Sequence, residues 1–201
     1  MPSLRAETLD SEGHRPGRAR GRRKPGLIIL GLDPGSRITG YGVIRRSGAQ
    51  VRALAEGRID TDTTAPLPQR LAHLSSEVER LIELVAPDTA VLETAFHGRN
   101  SRSLIVLAQA RGAILAALGR RSLEVVEYAP SEVKTAVTGN GRADKRQVAV
   151  MVELLLGMRA RGRGGDATDA LALALCYAQR FRLDALRATP PKATRSAIPR
   201  A

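Results

Sequence analysis

The run Leu27-Ile28-Ile29-Leu30-Gly31-Leu32-Asp33-Pro34-Gly35 carries the reading of the fold. Six residues without a polar side chain stop at an acid followed by Pro-Gly, the pattern of a strand buried on both faces that ends in a tight turn. An acid in that position stands at the carboxyl edge of a sheet, where α/β proteins gather their ligands.

Working outward, two more strands are predicted over residues 40–45 and 51–60. Leu67, Leu71, Leu74, Val78, Leu81, Ile82 and Val85 then recur at helical spacing and stop at Pro87, so this helix lays one face on a sheet. Ala90-Val91-Leu92-Glu93 reads as the next strand, parallel to the first because a helix makes the connection. A helix over 101–118, a strand over 124–128, a helix from Pro130, and helices over 143–156 and 166–181 complete the pattern. Hairpin-prone strands followed by alternating helices and strands predict an α/β fold, a mixed five-stranded sheet flanked by helices.

The 201 residues fit one domain, expected over 26–181. Residues 1–25 are rich in Arg and Gly with no apolar period and read as a disordered basic arm, either an aid to DNA affinity or a solvated tail. Residues 182–201, with Pro190, Pro191 and Pro199, read as a flexible basic tail. Apolar residues make up 43% of the chain and aromatics only 2%, so the core is built from Leu, Ile, Val and Ala. A formal charge of +12 favours a polyanionic partner, nucleic acid or an acidic membrane surface.

Cys176 is the single cysteine, which excludes an intramolecular disulfide, and its neighbours suggest a buried small residue. One Cys and three scattered His give no zinc-ligand spacing. The longest apolar stretch, 104–118, is interrupted by Gln109 and Arg111, and no secretory segment is seen, so a cytoplasmic protein without membrane association is expected.

Cleavage of a phosphodiester by a pair of hard divalent ions needs several carboxylates converging from separate segments. Asp33 and Glu93 end two strands, and Asp166 and Asp169 lie three apart at the start of a helix, where both point from one face of its first turn. Each piece has a plainer reading when taken alone. Asp33-Pro34-Gly35-Ser36 is a turn signal, Glu93 a solvated strand-end charge, and Asp166 with Asp169 a helix cap and its partner.

Six motifs bear on that choice. They are Gly31-Leu32-Asp33-Pro34-Gly35-Ser36-Arg37-Ile38-Thr39-Gly40-Tyr41-Gly42; Leu92-Glu93 with Phe96; Gln109-Ala110-Arg111-Gly112; Glu127-Tyr128 with Val133-Lys134; Ala143-Asp144-Lys145; and Asp166-Ala167-Thr168-Asp169-Ala170-Leu171-Ala172. In this order, across residues 27–181, they resemble the RuvC family of crossover-junction endodeoxyribonucleases.

The resemblance implies an RNase H-like fold and symmetric, metal-dependent hydrolysis of four-way (Holliday) junctions in homologous recombination and DNA repair. It implies that Asp33, Glu93, Asp166 and Asp169 are the catalytic metal ligands, holding two Mg²⁺ ions per site with Mn²⁺ able to substitute. It further implies that Lys134 and Lys145 contact the DNA backbone and that Phe96 stacks on an unpaired base. A homodimer and a branch-migration helicase complex are the implied partners, alongside four-way junction DNA.

Arg99, Arg102 and Arg142 are added as DNA-binding candidates, each otherwise a solvated charge. His97 reads as a surface histidine and Phe181 as packing. The rival enzyme is another RNase H-like nuclease acting on RNA or other branched DNA, with the same carboxylate chemistry. An actin-like nucleotide binder would need phosphate and adenosine motifs not found here, and a non-catalytic DNA-binding module would not need four acids.

Overall fold

The computed structural model of the chain describes residues 26–94, 101–158 and 165–188. Five strands are present among them: β1 (Leu27–Asp33), β2 (Ile38–Ser47), β3 (Gln50–Asp60), β4 (Thr89–Glu93) and β5 (Glu124–Tyr128). They form one sheet in the order β3-β2-β1-β4-β5, with β1–β2 and β2–β3 antiparallel and β1–β4 and β4–β5 parallel. The mixed direction expected from the sequence is therefore present, with the parallel half generated by helical crossovers.

Helices α1 (Leu67–Val85) and α2 (Ser101–Arg120) cover one face, and α3 (Pro130–Thr138), α4 (Lys145–Leu156) and α5 (Asp166–Ala188) cover the other. Alternation along the strands sorts the core between them. Leu30, Leu32, Ala90 and Leu92 pack with Leu74, Val78, Ile114 and Leu118 on the α1–α2 side, while Ile29 and Val91 pack with Leu171, Leu173 and Leu175 on the α5 side. The same period puts Asp33 on the face of Ile29, and Glu93 on the face of Val91, so both acids project toward α5.

Ser103–Arg120 is long and apolar enough to cross a membrane by composition. Here Ala110, Ile114, Ala117 and Leu118 of that helix are buried in the core beneath the sheet. Cys176 lies fully buried in α5, as expected, and burial pushes its thiol up to about 11.

Three helix limits differ from the reading of the sequence, the smallest being the end of α2 at Arg120 rather than Leu118. Helix α4 begins at Lys145 rather than Ala143 because Asp144 is its N-cap: Asp144 Oδ1 accepts from Gln147 N at 2.8 Å, and Gln147 Oε1 accepts from Asp144 N at 2.9 Å. Helix α5 runs to Ala188, past the expected end at Phe181, because residues 182–188 contain no breaker and the first proline is Pro190. Residues 1–25 and 189–201, which include the arm and most of the tail, lie outside the described residues, as does the side chain of Phe181.

Three glycines let α5 reach the sheet. A Cβ at Gly31 would stand 1.9 Å from the carbonyl oxygen of Ala170, one at Gly40 would stand 2.0 Å from that of Asp166, and one at Gly42 would stand 2.7 Å from the Leu171 nitrogen. Since Gly40 pairs directly with Asp33 in the β1–β2 ladder, the absent side chain places the start of α5 beside that acid. Gly40→Ala is expected to destabilise the chain by about 1–3 kcal/mol or more, because backbone must move to admit the methyl group. Urea unfolding checks this, and a wild-type midpoint would show that α5 withdraws at no cost.

Candidate active site

The carboxyl ends of β1 and β4 are adjacent, since Leu32 pairs with Leu92 in the parallel ladder. Asp33 and Glu93 follow those residues, and the first turn of α5 brings Asp166 and Asp169 over them. The four expected acids thus come together electrostatically. Burial and then the charges of Asp169, Glu93 and Asp166 raise Asp33 from its ordinary 3.8 to about 7, with Lys145 opposing. Glu93 is also raised, chiefly by burial and then by Asp169, against the opposing charges of Lys145, Lys134 and Arg111.

The two expected lysines stand at the same place. Lys145 Nζ donates to Asp169 Oδ2 at 3.0 Å although the lysine side chain is 83% exposed, and this bond raises the ammonium above its ordinary pKa. Lys134 on α3 is close enough for its charge to act on Glu93. Among the described residues, no three acidic, His or Cys side chains are already drawn to the spacing of a formed metal site. The positive charge against Asp169 is supplied by Lys145.

Arg142 is exposed in the turn before α4, where its backbone N–H donates to Asn140 Oδ1 at 2.9 Å; it is not among the charges acting on the acids. Phe96, His97 and Arg99 lie outside the described residues, as does the side chain of Arg102.

Arg111 received no role from sequence beyond its place in a motif. Its guanidinium, 11% exposed, donates to the backbone carbonyl of Glu93 and pairs with Glu127 Oε1 on β5 at 2.7 Å. A charge reaching inward from an otherwise apolar helix needs such partners. The signal was therefore its position next to the buried Ala110, and its effect is to fix the strand end that carries Glu93.

Comparison with known proteins adds to this geometry. Residues 29–177 match the model of the family described as crossover junction endodeoxyribonuclease RuvC. The chain belongs to the RuvC family.

A RuvC from Syntrophomonas wolfei is 41% identical over 157 residues, covering 78% of this chain and 91% of that protein. One from Chlorobaculum parvum is 47% identical over 150 residues, covering 75% and 80%. Among solved structures, Thermus thermophilus RuvC in complex with Holliday junction substrate superposes with a TM-score of 0.75 at 31% identity, covering 79% of this chain and 96% of that one. Thermus thermophilus RuvC in a second structure gives 0.72 at 30% identity, with 79% and 97% covered. The RuvC fold seen here is RNase H-like, as the motifs implied.

The raised acid has a thermodynamic consequence. A folded-state pKa above the unfolded one means that the folded chain holds an extra proton between the two values, so stability falls as pH rises through that window. For Asp33 the window runs from 3.8 to about 7. In chelator, the unfolding free energy is expected to drop between pH 4 and pH 8, with an Asp33 contribution on the order of 4 kcal/mol. Glu93 adds in the same direction. Asp33→Asn should flatten this slope, and denaturant titrations at pH 5 and pH 8 check it; parallel pH profiles for the two proteins would contradict the crowding of acids.

Proposed function

We propose that this chain is an endonuclease that resolves four-way DNA junctions by symmetric, divalent-metal-dependent hydrolysis of phosphodiester bonds. The observation that carries the reading is the meeting of Asp33, Glu93, Asp166 and Asp169, where burial first and then the neighbouring acids push the Asp33 carboxyl up to about 7, within a chain of net charge +12. So many carboxylates in one place are costly without a cation, while the basic chain around them suits a polyanionic substrate.

The donor set consists of carboxylate oxygens, which fits a hard divalent cation: Mg²⁺, with Mn²⁺ as a substitute. Asp33, Glu93, Asp166 and Asp169 would hold two such ions. When bound, they supply an acidified water as nucleophile and charge neutralisation at the leaving oxygen. Asp33, raised the most and repelled by all three other acids, is the carboxylate whose charge a bound cation would offset most.

Around that centre the chain's own residues bind and orient DNA. Lys134 and Lys145 place ammonium groups beside the acids, where they meet backbone phosphates flanking the scissile one. Arg111 keeps the Glu93 strand end in place through the carbonyl it holds. Phe96 is assigned the stacking role on an unpaired base, and Arg99, Arg102 and Arg142 further phosphate contacts.

Two equivalent cuts in a two-fold substrate call for a two-fold dimer. The outer face of α2 supports one. Ile105 is 59% exposed there, and Ala108, Gly112 and Ala116 continue the same face with little side chain to hold a second helix away. The DNA substrate places the chain in the cytoplasm, with a branch-migration helicase complex as partner.

Incubation of purified protein with a labelled four-way junction, a linear duplex and an RNA–DNA hybrid, each with and without Mg²⁺, tests the reading. Paired symmetric nicks confined to the junction with Mg²⁺ are expected, and preferential cutting of the hybrid would favour the rival RNase H-like nuclease. Asp33→Asn should lower cleavage at least ~10³-fold, about 4 kcal/mol of transition-state stabilisation, while binding the junction with near wild-type affinity. Lys145→Ala should reduce the slope of log K against log salt by about one. A wild-type slope in a salt titration would leave Lys145 as the counter-charge of Asp169 alone.

A further inference from the structure

A cavity of about 420 Å³ opens beside the β1–β2 loop, with none of the four acids in its wall, lined by Ser36, Arg37, Thr63, Arg70, Ser103 and Val106. It is large enough for a nucleotide-sized group. Two guanidiniums and three hydroxyls make its wall cationic and rich in donors, and no carboxylate lines it.

Arg70 reaches in from α1 and donates to the backbone carbonyl of Ser36, with a longer contact to Thr61 Oγ1 at 3.5 Å. Its Nε is buried without a hydrogen-bond partner, so part of its donor capacity remains unused. Asp62 is near enough to feel that charge, but its Oδ1 accepts from both the backbone N and the hydroxyl of Thr64, the main reason its pKa is lowered.

Arg37 complements this group. Its carbonyl is held by Thr61 through the backbone N at 2.9 Å and through Oγ1 at 3.0 Å, which fixes the loop. Among the described residues, no hydrogen bond or ion pair engages its exposed guanidinium. Two helices also begin at this cavity, with Thr63 just before α1 and Ser103 in the first turn of α2, and neither has an acid in its first turn. Their positive dipole ends add to the same potential.

We propose that this cavity seats a backbone phosphate of the DNA strand flanking the cut, with Arg37 and Arg70 as its cationic partners and the hydroxyls of Ser36 and Thr63 as donors. The proposal rests on the nuclease reading for its DNA partner. Ser36 lies three residues from Asp33 along the chain, so the two sites are at most about 11 Å apart at these backbone atoms. With one phosphate per ~3.4 Å of axial rise on each strand, the seated phosphate lies a few nucleotides from the one presented to the acids. The cavity would then hold one flank of the strand while Lys134 and Lys145 hold the other.

The test compares wild type, Arg37→Gln, Thr63→Glu and Arg52→Gln in binding a labelled four-way junction, in chelator, across a salt series. Arg52 carries the same charge but sits near the other end of the β2–β3 hairpin, opposite Arg45. Arg37→Gln is expected to lower the salt slope by about one and to weaken binding several-fold. Thr63→Glu should weaken it at least as much while keeping the wild-type melting temperature, and Arg52→Gln should leave the slope in place. Wild-type slopes and affinities for Arg37→Gln and Thr63→Glu, or equal losses for Arg37→Gln and Arg52→Gln, overturn the proposal. Wild-type cleavage of the same junction in Mg²⁺ is scored in parallel. If cleavage fails but the Arg37 effect persists, the nuclease reading falls and the phosphate seat stands; if cleavage succeeds and the Arg37 effect is missing, the reverse holds.

Discussion

The close approach of α5 to β1 and β2 is the constraint on which the rest depends. Where most helix–sheet contacts are made by interlocking side chains, this one is made by backbone against backbone over Gly31, Gly40 and Gly42. The nearest atoms facing Gly31 and Gly40 are carbonyl oxygens, which no side-chain substitution on the helix can trim away, while at Gly42 the Leu171 nitrogen and side chain stand equally near. That depth carries Asp166 and Asp169 down to the level of the strand ends. A helix seated one side chain further out would cover the core but leave its acids away from Asp33.

The cost of that arrangement is electrostatic. Burial and three like charges hold Asp33 well above its ordinary range, and the charge of Lys145, which is paired with Asp169, offsets only part of this. Stability and chemistry therefore oppose one another at the same residue, a common feature of sites whose charges await a ligand. The surrounding framework supplies the compensation: a leucine- and isoleucine-rich core on both sheet faces, and Arg111 tying α2 to the ends of β4 and β5.

Much of this was legible in the sequence because the signals were local. The apolar run ending at Asp33 marked a doubly buried strand, helical periodicity marked α1, and Pro87 marked its end. Glu93, Asp166 and Asp169 could be proposed as one site because each sits at an element end, but their convergence needed the parallel pairing of β1 with β4 and the depth of α5, both long-range. The glycines were visible only as letters of a motif, since the backbone that fills their missing side chains comes from a segment more than a hundred residues away. Arg111 and Arg70 escaped notice for a related reason: an arginine on a helix looks like surface charge until the carbonyl it holds is known. The extension of α5 past Phe181 was missed because polar composition was read as the end of order, whereas the residues concerned are good helix formers.

The single thiol of the chain sits on α5 two turns beyond Asp169, fully enclosed and with its ionisation suppressed. A cysteine in that setting is inert toward alkylating reagents while the helix is seated and becomes reactive only when it lifts from the sheet. The rate at which Cys176 is labelled therefore reports, without any engineered probe, how often the element bearing two of the acids leaves its place.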